Sequence, residues 1–310
     1  MKNIGLVLAG LFTCCLIACS KSGPDSAPKP SSAPGATARA AKVGLSLSTL
    51  NNPFFVALRG GAEAEAAAKG LELISVDAQD DPAKQIASVE DLIQKNVRVI
   101  LLNPTDSAAV AGVVKQAIAA GIKVISLDRR VSGAEVSAHV ASDNVAGGKL
   151  AAQLLLQKIG GKGNVVELEG LPGSSAARER GQGFHSVIDG QQGIKLVARQ
   201  PADFDRAKGL SVMENILQAK KGVQGVFAHN DEMALGALKA IDAANLHDVA
   251  VVGFDATPDA VAAVRQGKLA GSVQQKPELI GKLGIDAAAQ LIEGKPIDKD
   301  IPVPLDIVKQ

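Results

Sequence analysis

The sequence predicts an α/β fold of two doubly wound, parallel-sheet domains. Three observations carry that prediction. From Lys42 onward, short β-branched runs alternate with Ala-rich helical runs. The loops between them are short, which favours parallel strands joined by crossover helices. The alternation also restarts after Ser142-Asp143-Asn144, and it contains too many units for one sheet.

Taken in order, Val43–Ser48 reads as a strand and Phe54–Lys69 as a helix stopped by Gly70. Strand Leu71–Val76 precedes helix Pro82–Lys95, whose proline suits a first helical turn. Strand Val97–Leu102, helix Ser107–Ala120, strand Ile122–Leu127 and strand Val136–Ala141 complete the first half. The second half reads as helix Val145–Ile159, strand Asn164–Leu168, helix Ala176–Ile188, strand Ile194–Arg199, helix Arg206–Ala219 and strand Val223–Ala228. Helix Glu232–Ala244, strand Val249–Val252, helix Pro258–Arg265, strand Ala270–Val273, helix Pro277–Glu293 and a last strand near Val303–Val308 follow. The apolar content comes mostly from Ala, Val, Leu and Ile, as expected for strands covered on both faces.

The residues ahead of Lys42 read differently. Lys2 followed by the apolar run Ile4–Ile17 has the form of a secretory leader, too short for a comfortable membrane span. Leu16-Ile17-Ala18-Cys19 matches the lipoprotein box, so residues 1–18 are expected to be removed and Cys19 lipidated. The other two cysteines, Cys14 and Cys15, lie inside that leader, which leaves the mature chain without a thiol for a disulfide, a nucleophile or a metal. Residues 19–41 are rich in Ser, Pro, Ala and Gly without apolar periodicity and read as a tether reaching about 60 Å when extended.

Several function classes lose support. A net charge of +1 without a basic, aromatic-laced stripe disfavours nucleic acid. The sequence has no P-loop and no Gly-x-Ser-x-Gly elbow, and its four histidines lack metal-ligand spacing. No cofactor is expected. The chain has no Trp or Tyr, yet four of its seven phenylalanines sit beside amides or charges past strand ends. These are Phe54 and Phe55 after Asn51-Asn52-Pro53, Phe204 in Asp203-Phe204-Asp205, and Phe254 before Asp255. Flat apolar rings among hydrogen-bonding groups fit a sugar, whose C–H faces stack while its hydroxyls donate and accept.

Ligands of open α/β sheets bind beyond the carboxyl ends of the strands. Asn103, Asp128-Arg129, Asn230 and Phe254-Asp255 all fall there. Singly each admits a plainer role: Asn103 a turn, Asp128 and Asn230 helix caps, Phe254 a core ring. In Arg178-Glu179-Arg180, either arginine could face the cleft while the other pairs with Glu179. Asp128 and Asp255 could serve as a glycosidase pair. Arg129 and Arg180 beside them are expected to keep both ionised, which favours a binding clamp over acid catalysis.

At these residues the chain resembles the ribose-binding branch of the type I periplasmic binding proteins of bacterial ABC importers. The likeness runs from Lys42 to Gln310 through Ser48–Phe55, Asn103–Asp106, Leu127–Arg129, Ala141–Asn144, Ala176–Gly181, Gln200–Arg206, Asn230–Ala234 and Val252–Asp255. The resemblance implies a three-segment hinge near 142–143, 274–275 and 303–304. One domain would then be 42–142 plus 275–303, the other 143–274 plus 304–310. It also implies that Phe54, Phe55 and Phe204 sandwich the sugar ring with Phe254 alongside. Asn52, Asn103, Asp128 and Arg129 would bond its hydroxyls from one domain, Arg180, Asn230 and Asp255 from the other, and Gln275 from the hinge. The implied ligand is D-ribose, with D-allose, another aldose or a signalling furanose such as autoinducer-2 as alternatives. An inner-membrane ABC permease and a chemoreceptor are the implied partners of a monomeric, envelope-located receptor. Gln274 and His229 depart from that family's pattern, which expects a small residue and a neutral polar one.

Overall fold

The computed structural model describes residues 40–310; the leader, Cys19 and all but the end of the tether lie outside the described residues. Strands β1 (Lys42–Leu47), β2 (Glu72–Asp77), β3 (Val99–Leu102), β4 (Lys123–Leu127), β5 (Ala138–Ala141) and β11 (Asp300–Pro302) form one six-stranded parallel sheet in the order β11-β5-β4-β3-β1-β2. A second sheet has the order β12-β10-β9-β8-β6-β7. It contains β6 (Gly163–Glu169), β7 (Ile194–Pro201), β8 (Val223–Ala228), β9 (Ala250–Asp255), β10 (Gly271–Gln274) and β12 (Asp306–Lys309). In that sheet β12 runs antiparallel to β10, an edge that the sequence reading takes as parallel.

Helices α1 (Pro53–Ala68), α2 (Pro82–Gln94), α3 (Ala111–Ala119) and α9 (Pro277–Ile292) cover the first sheet. Helices α4 (Asn144–Ile159), α5 (Ser175–Ile188), α6 (Arg206–Ala219), α7 (Asp231–Ala243) and α8 (Pro258–Arg265) belong with the second. The chain passes between the sheets after β5, after β10 and between β11 and β12. These passages bring the strand ends of both sheets to one shared gap.

The cores explain why so few aromatics suffice. Every side chain of β3 is buried, and β1 is buried from Val43 to Leu47. Helix pairs instead close through glycine. A Cβ on Gly148 of α4 would lie 2.1 Å from the Arg180 carbonyl oxygen, and one on Gly183 of α5 would lie 2.0 Å from that of Val145. Only hydrogen fits at either position, so α5, which carries Arg180, is seated against α4 at backbone contact. Phe184 and Phe227 stack at 4.7 Å inside the same core, the packing role their interior positions suggest. Among the described residues, no helix is long and apolar enough to cross a membrane.

Candidate ligand-binding site

Each candidate side chain is delivered by the end of a strand or the start of a helix. Asn52 caps α1, its Oδ1 accepting from the Phe54 amide at 2.9 Å, and Pro53 fixes the first turn. That turn aims Phe54 and Phe55 together, edge to face at 5.1 Å. Asn230 caps α7 through Oδ1 to the Met233 amide at 3.0 Å. Its Nδ2 also donates to the Phe204 carbonyl at 3.1 Å, so one amide serves both as cap and as anchor for a site residue.

The other carriers adopt backbone that side chains disfavour. Asp128, just past β4, has φ 61°, Phe204 has φ 62°, and Asp255, the last residue of β9, has φ 113°. Conformations of this kind cost on the order of 1–3 kcal/mol and concentrate where function requires a fixed geometry. Three of them meet at one gap.

Asn52, Phe54, Phe55, Asp128 and Arg129 from the first lobe face Ala176, Arg180, Phe204, Asn230 and Asp255 from the second. The Arg129 guanidinium carbon lies 5.1 Å from the ring centres of both Phe55 and Phe204, bridging the lobes. Its Nε approaches Asp128 Oδ2 at 3.7 Å. Arg180 settles the choice left open by Arg178-Glu179-Arg180. It is buried, donates through Nε to Asn144 Oδ1 at 2.9 Å and through Nη1 to the His229 carbonyl at 2.6 Å, and stands 3.8 Å from Asp255 Oδ1. Arg178 points away to the Pro172 and Gly173 carbonyls. Glu179 pairs with neither arginine of its segment; it accepts from Asn144 Nδ2 at 3.3 Å and approaches Arg130.

Three candidates stand behind this front. Asn103 is fully committed: Oδ1 accepts from the Ser48 amide, and Nδ2 donates to Leu127 O and Asp128 Oδ2. Phe254 is wholly buried and meets the site through Arg180, whose guanidinium carbon lies 3.8 Å over its ring centre. Gln275 donates from Nε2 to Asp255 Oδ1 at 2.9 Å. Asp128 Oδ1, Arg129 Nε and Gln275 Oε1 are buried without a protein hydrogen bond. Such atoms are costly unless a partner of matching polarity meets them.

The electrostatics correct one expectation. Burial raises the Asp128 carboxyl above the usual carboxylate range, against the pull of Arg180 and Arg129. Burial likewise lifts Asp255 well above it despite Arg180. Arg129 is lowered, also by burial. The arginines therefore lower these acids less than burial raises them: desolvation outweighs the attraction. Hydroxyl donors arriving from a ligand favour the charged forms.

The sequence reading missed Asn144, Glu167 and the inward face of His229. Glu167 was detectable as the one charge inside the run Val165-Val166-Glu167-Leu168, which is buried in β6.

The family model described as periplasmic binding protein domain matches residues 43–296. The chain is 49% identical over 310 residues, all of both chains, to the ribose import binding protein of Bacillus subtilis (strain 168). It belongs to the periplasmic binding protein family. This periplasmic binding protein is also 49% identical over 266 residues to the Escherichia coli (strain K12) ribose import binding protein, covering 86% of this chain and 90% of that one. Among solved structures, a periplasmic solute binding protein of an ABC transporter from Actinobacillus succinogenes 130z, with bound D-allose, superposes with a TM-score of 0.81 at 34% identity. That match covers 87% of this chain and 97% of the other.

Proposed function

We propose that this protein captures D-ribose between its two lobes in the periplasm and presents the closed form to the permease of an ABC importer. The lobes are assigned as 42–142 plus 275–303 and 143–274 plus 304–310. The observation that carries the reading is the pairing of buried, unpartnered polar atoms on Asp128, Arg129 and Gln275 with phenyl rings reaching in from both lobes. A small polyol satisfies both at once: its C–H faces lie against Phe55 and Phe204, and its hydroxyls meet the acids, amides and guanidinia. Asn52, Asp128 and Arg129 bond it from one lobe, Arg180, Asn230 and Asp255 from the other. Gln275 bonds it at the crossing, Phe54 and Phe254 back the rings and Arg180, and Asn103 orients Asp128. Identity near one half to two ribose import binding proteins supports ribose over other pentoses and hexoses.

Binding leaves the sugar unchanged, so the protein is a receptor and no residue is given a catalytic role. Cys19 is the proposed lipid anchor, holding a monomer near the membrane, and a chemoreceptor is a second proposed reader of the closed form. D-Allose is the runner-up ligand, because a structural neighbour at 34% identity holds it. Titration calorimetry with D-ribose, D-allose and a panel of other aldoses decides between them. Tightest binding of ribose is the expected result; heat with none of these sugars refutes the reading.

A further inference from the structure

Glu167 lies wholly buried in β6 and is ringed by donors. His229 Nε2 and His185 Nε2 each stand 2.9 Å from its carboxylate, and Arg199 Nε stands at 3.4 Å. His185 offers its other nitrogen to the exposed Asp189 at 2.9 Å. At the inner end, the Gly170 amide donates to His229 Nδ1 at 3.4 Å. That assigns the His229 tautomer: Nδ1 bears the lone pair and Nε2 the proton given to Glu167.

Two contacts join this row to the sugar site. The His229 carbonyl accepts from Arg180 Nη1 at 2.6 Å. Gly170 supports the Phe204 ring so closely that a Cβ there would lie 2.0 Å from its Cζ. The charged groups around His229 are Glu167 and Glu169 on β6 and Arg180 on α5. His185 and Arg199 reach it through Glu167, and Phe227 on β8 presents only its ring, at 5.0 Å. Burial lowers the His229 pKa, whereas Glu167 stays low because the hydrogen bond from His229 and the nearby cations outweigh its own burial.

We infer that Glu167 and His229 are positioning residues that hold Arg180 and Phe204 for the sugar, and that a proton gained by His229 as the envelope acidifies weakens sugar binding. The added Nδ1–H would oppose the Gly170 N–H, donor against donor, and place a second cation beside Arg180. Gly170 then withdraws from Phe204, and the ring loses its backing.

The inference rests on the ribose reading. Its test is ribose calorimetry from pH 7.5 to 5.0 on the wild type, His229→Gln and Glu167→Gln, with imidazole NMR of His229 with and without ribose. The wild type should lose at least about threefold more affinity over that range than either variant, because any titration of Asp128 and Asp255 is common to all three proteins. By linkage, ribose should lower the His229 titration midpoint by about one unit, a shift whose full tenfold effect is reached only well below both midpoints. Parallel affinity profiles, or a His229 midpoint that ribose leaves in place, overturn the inference alone. A wild type that binds no sugar at pH 7.5 removes the ribose reading, and this one with it. Thermal melts of the variants show that each is folded when measured.

Discussion

Arg180→Ala tests the site most severely, because the structure fixes what the side chain already does. Two of its three nitrogens are committed, Nε to Asn144 and Nη1 to the His229 carbonyl, which leaves Nη2 for a hydroxyl. Removing it takes away one charge-assisted hydrogen bond to the ligand, about 1.5–3 kcal/mol. It also strips the cation from Asp255, whose carboxyl burial already pushes upward. That acid then takes a proton and accepts from hydroxyls less well, a second loss of about the same size. Together these reach about 3–6 kcal/mol, or roughly 10²- to 10⁴-fold in affinity. The fold suffers less, since Asn144 Oδ1 and the His229 carbonyl can be met by water in the space left behind; a melting point lower by about 5–10 °C is expected. Calorimetry with D-ribose measures the first effect and thermal unfolding the second. Arg178→Ala, which removes only bonds to the Pro172 and Gly173 carbonyls and leaves the latter its bond from the Ser107 amide, is the control and should bind within about threefold of the wild type. A folded Arg180→Ala protein that binds ribose as the control does would refute the site.

Gly170→Ala should displace Phe204 and weaken ribose binding at least about tenfold, while Gly60→Ala, which meets nothing within 4 Å on the exposed face of α1, should raise the melting point slightly. Equal affinities for these two variants would remove Phe204 from the site. Ser175→Ala deletes the hydroxyl that accepts from the Arg130 amide at 2.8 Å across the lobes. Losing about 1 kcal/mol of closure should weaken ribose roughly fivefold, chiefly through a faster off-rate seen by stopped flow; an unchanged off-rate would count against this contact. His139 is buried against Ser126 Oγ at 2.8 Å, and burial lowers its pKa from 6.5 to about 4. Because the unfolded chain binds that proton first, its stability contribution is present above pH 6.5 and lost as pH falls towards 4, by at most about 3 kcal/mol. Urea melts across this range should show a shallower loss for His139→Asn, and superimposable curves would show that His139 does not titrate there.

The alternation of strand and helix was legible because parallel strands covered on both faces must be apolar throughout, and each ends where the polar residues begin. The misplacements have local causes. The helix expected from Ser107 starts at Ala111, because Asp106 Oδ1 ties the Ala108 and Ala109 amides into a turn and the Ser107 amide donates to the Gly173 carbonyl of the other lobe. The strand expected from Val136 starts at Ala138. Of the strand expected at Val303–Val308 only the end, from Asp306, forms β12, because Val303 to Leu305 cross between sheets and Pro304 has no amide to pair; β11, at Asp300–Pro302, lies ahead of the expected span. The positive φ of Asp128, Phe204 and Asp255 left no trace in the sequence, since none of the three is a glycine. Arg180 and Arg178 could not be separated by spacing alone; what separates them is the glycine-tight contact of α4 with α5, which exists only once the helices are packed.

On the proposed reading, the same packing accounts for a receptor that closes on its ligand. Closure buries Asp128, Arg129, Arg180 and Asp255 at once, and moving those charges out of water is unfavourable unless each finds a partner. Against that cost stand, besides the Gln275 bonds to Asp255 at the crossing, three direct bonds between the lobes: the Ser107 amide to Gly173 O at 3.0 Å, the Ser175 amide to Ser107 Oγ at 3.1 Å and the Arg130 amide to Ser175 Oγ. At about 1 kcal/mol each they offset only part of the cost. Swinging a population from mostly open to mostly closed takes about 5.5 kcal/mol of preference for the closed form. On that reading a sugar touching both lobes supplies it, because its hydroxyls would find the acids and guanidinia together in the closed form alone. The direct bonds therefore set how near to balance the lobes start, and the ligand decides on which side of balance they rest.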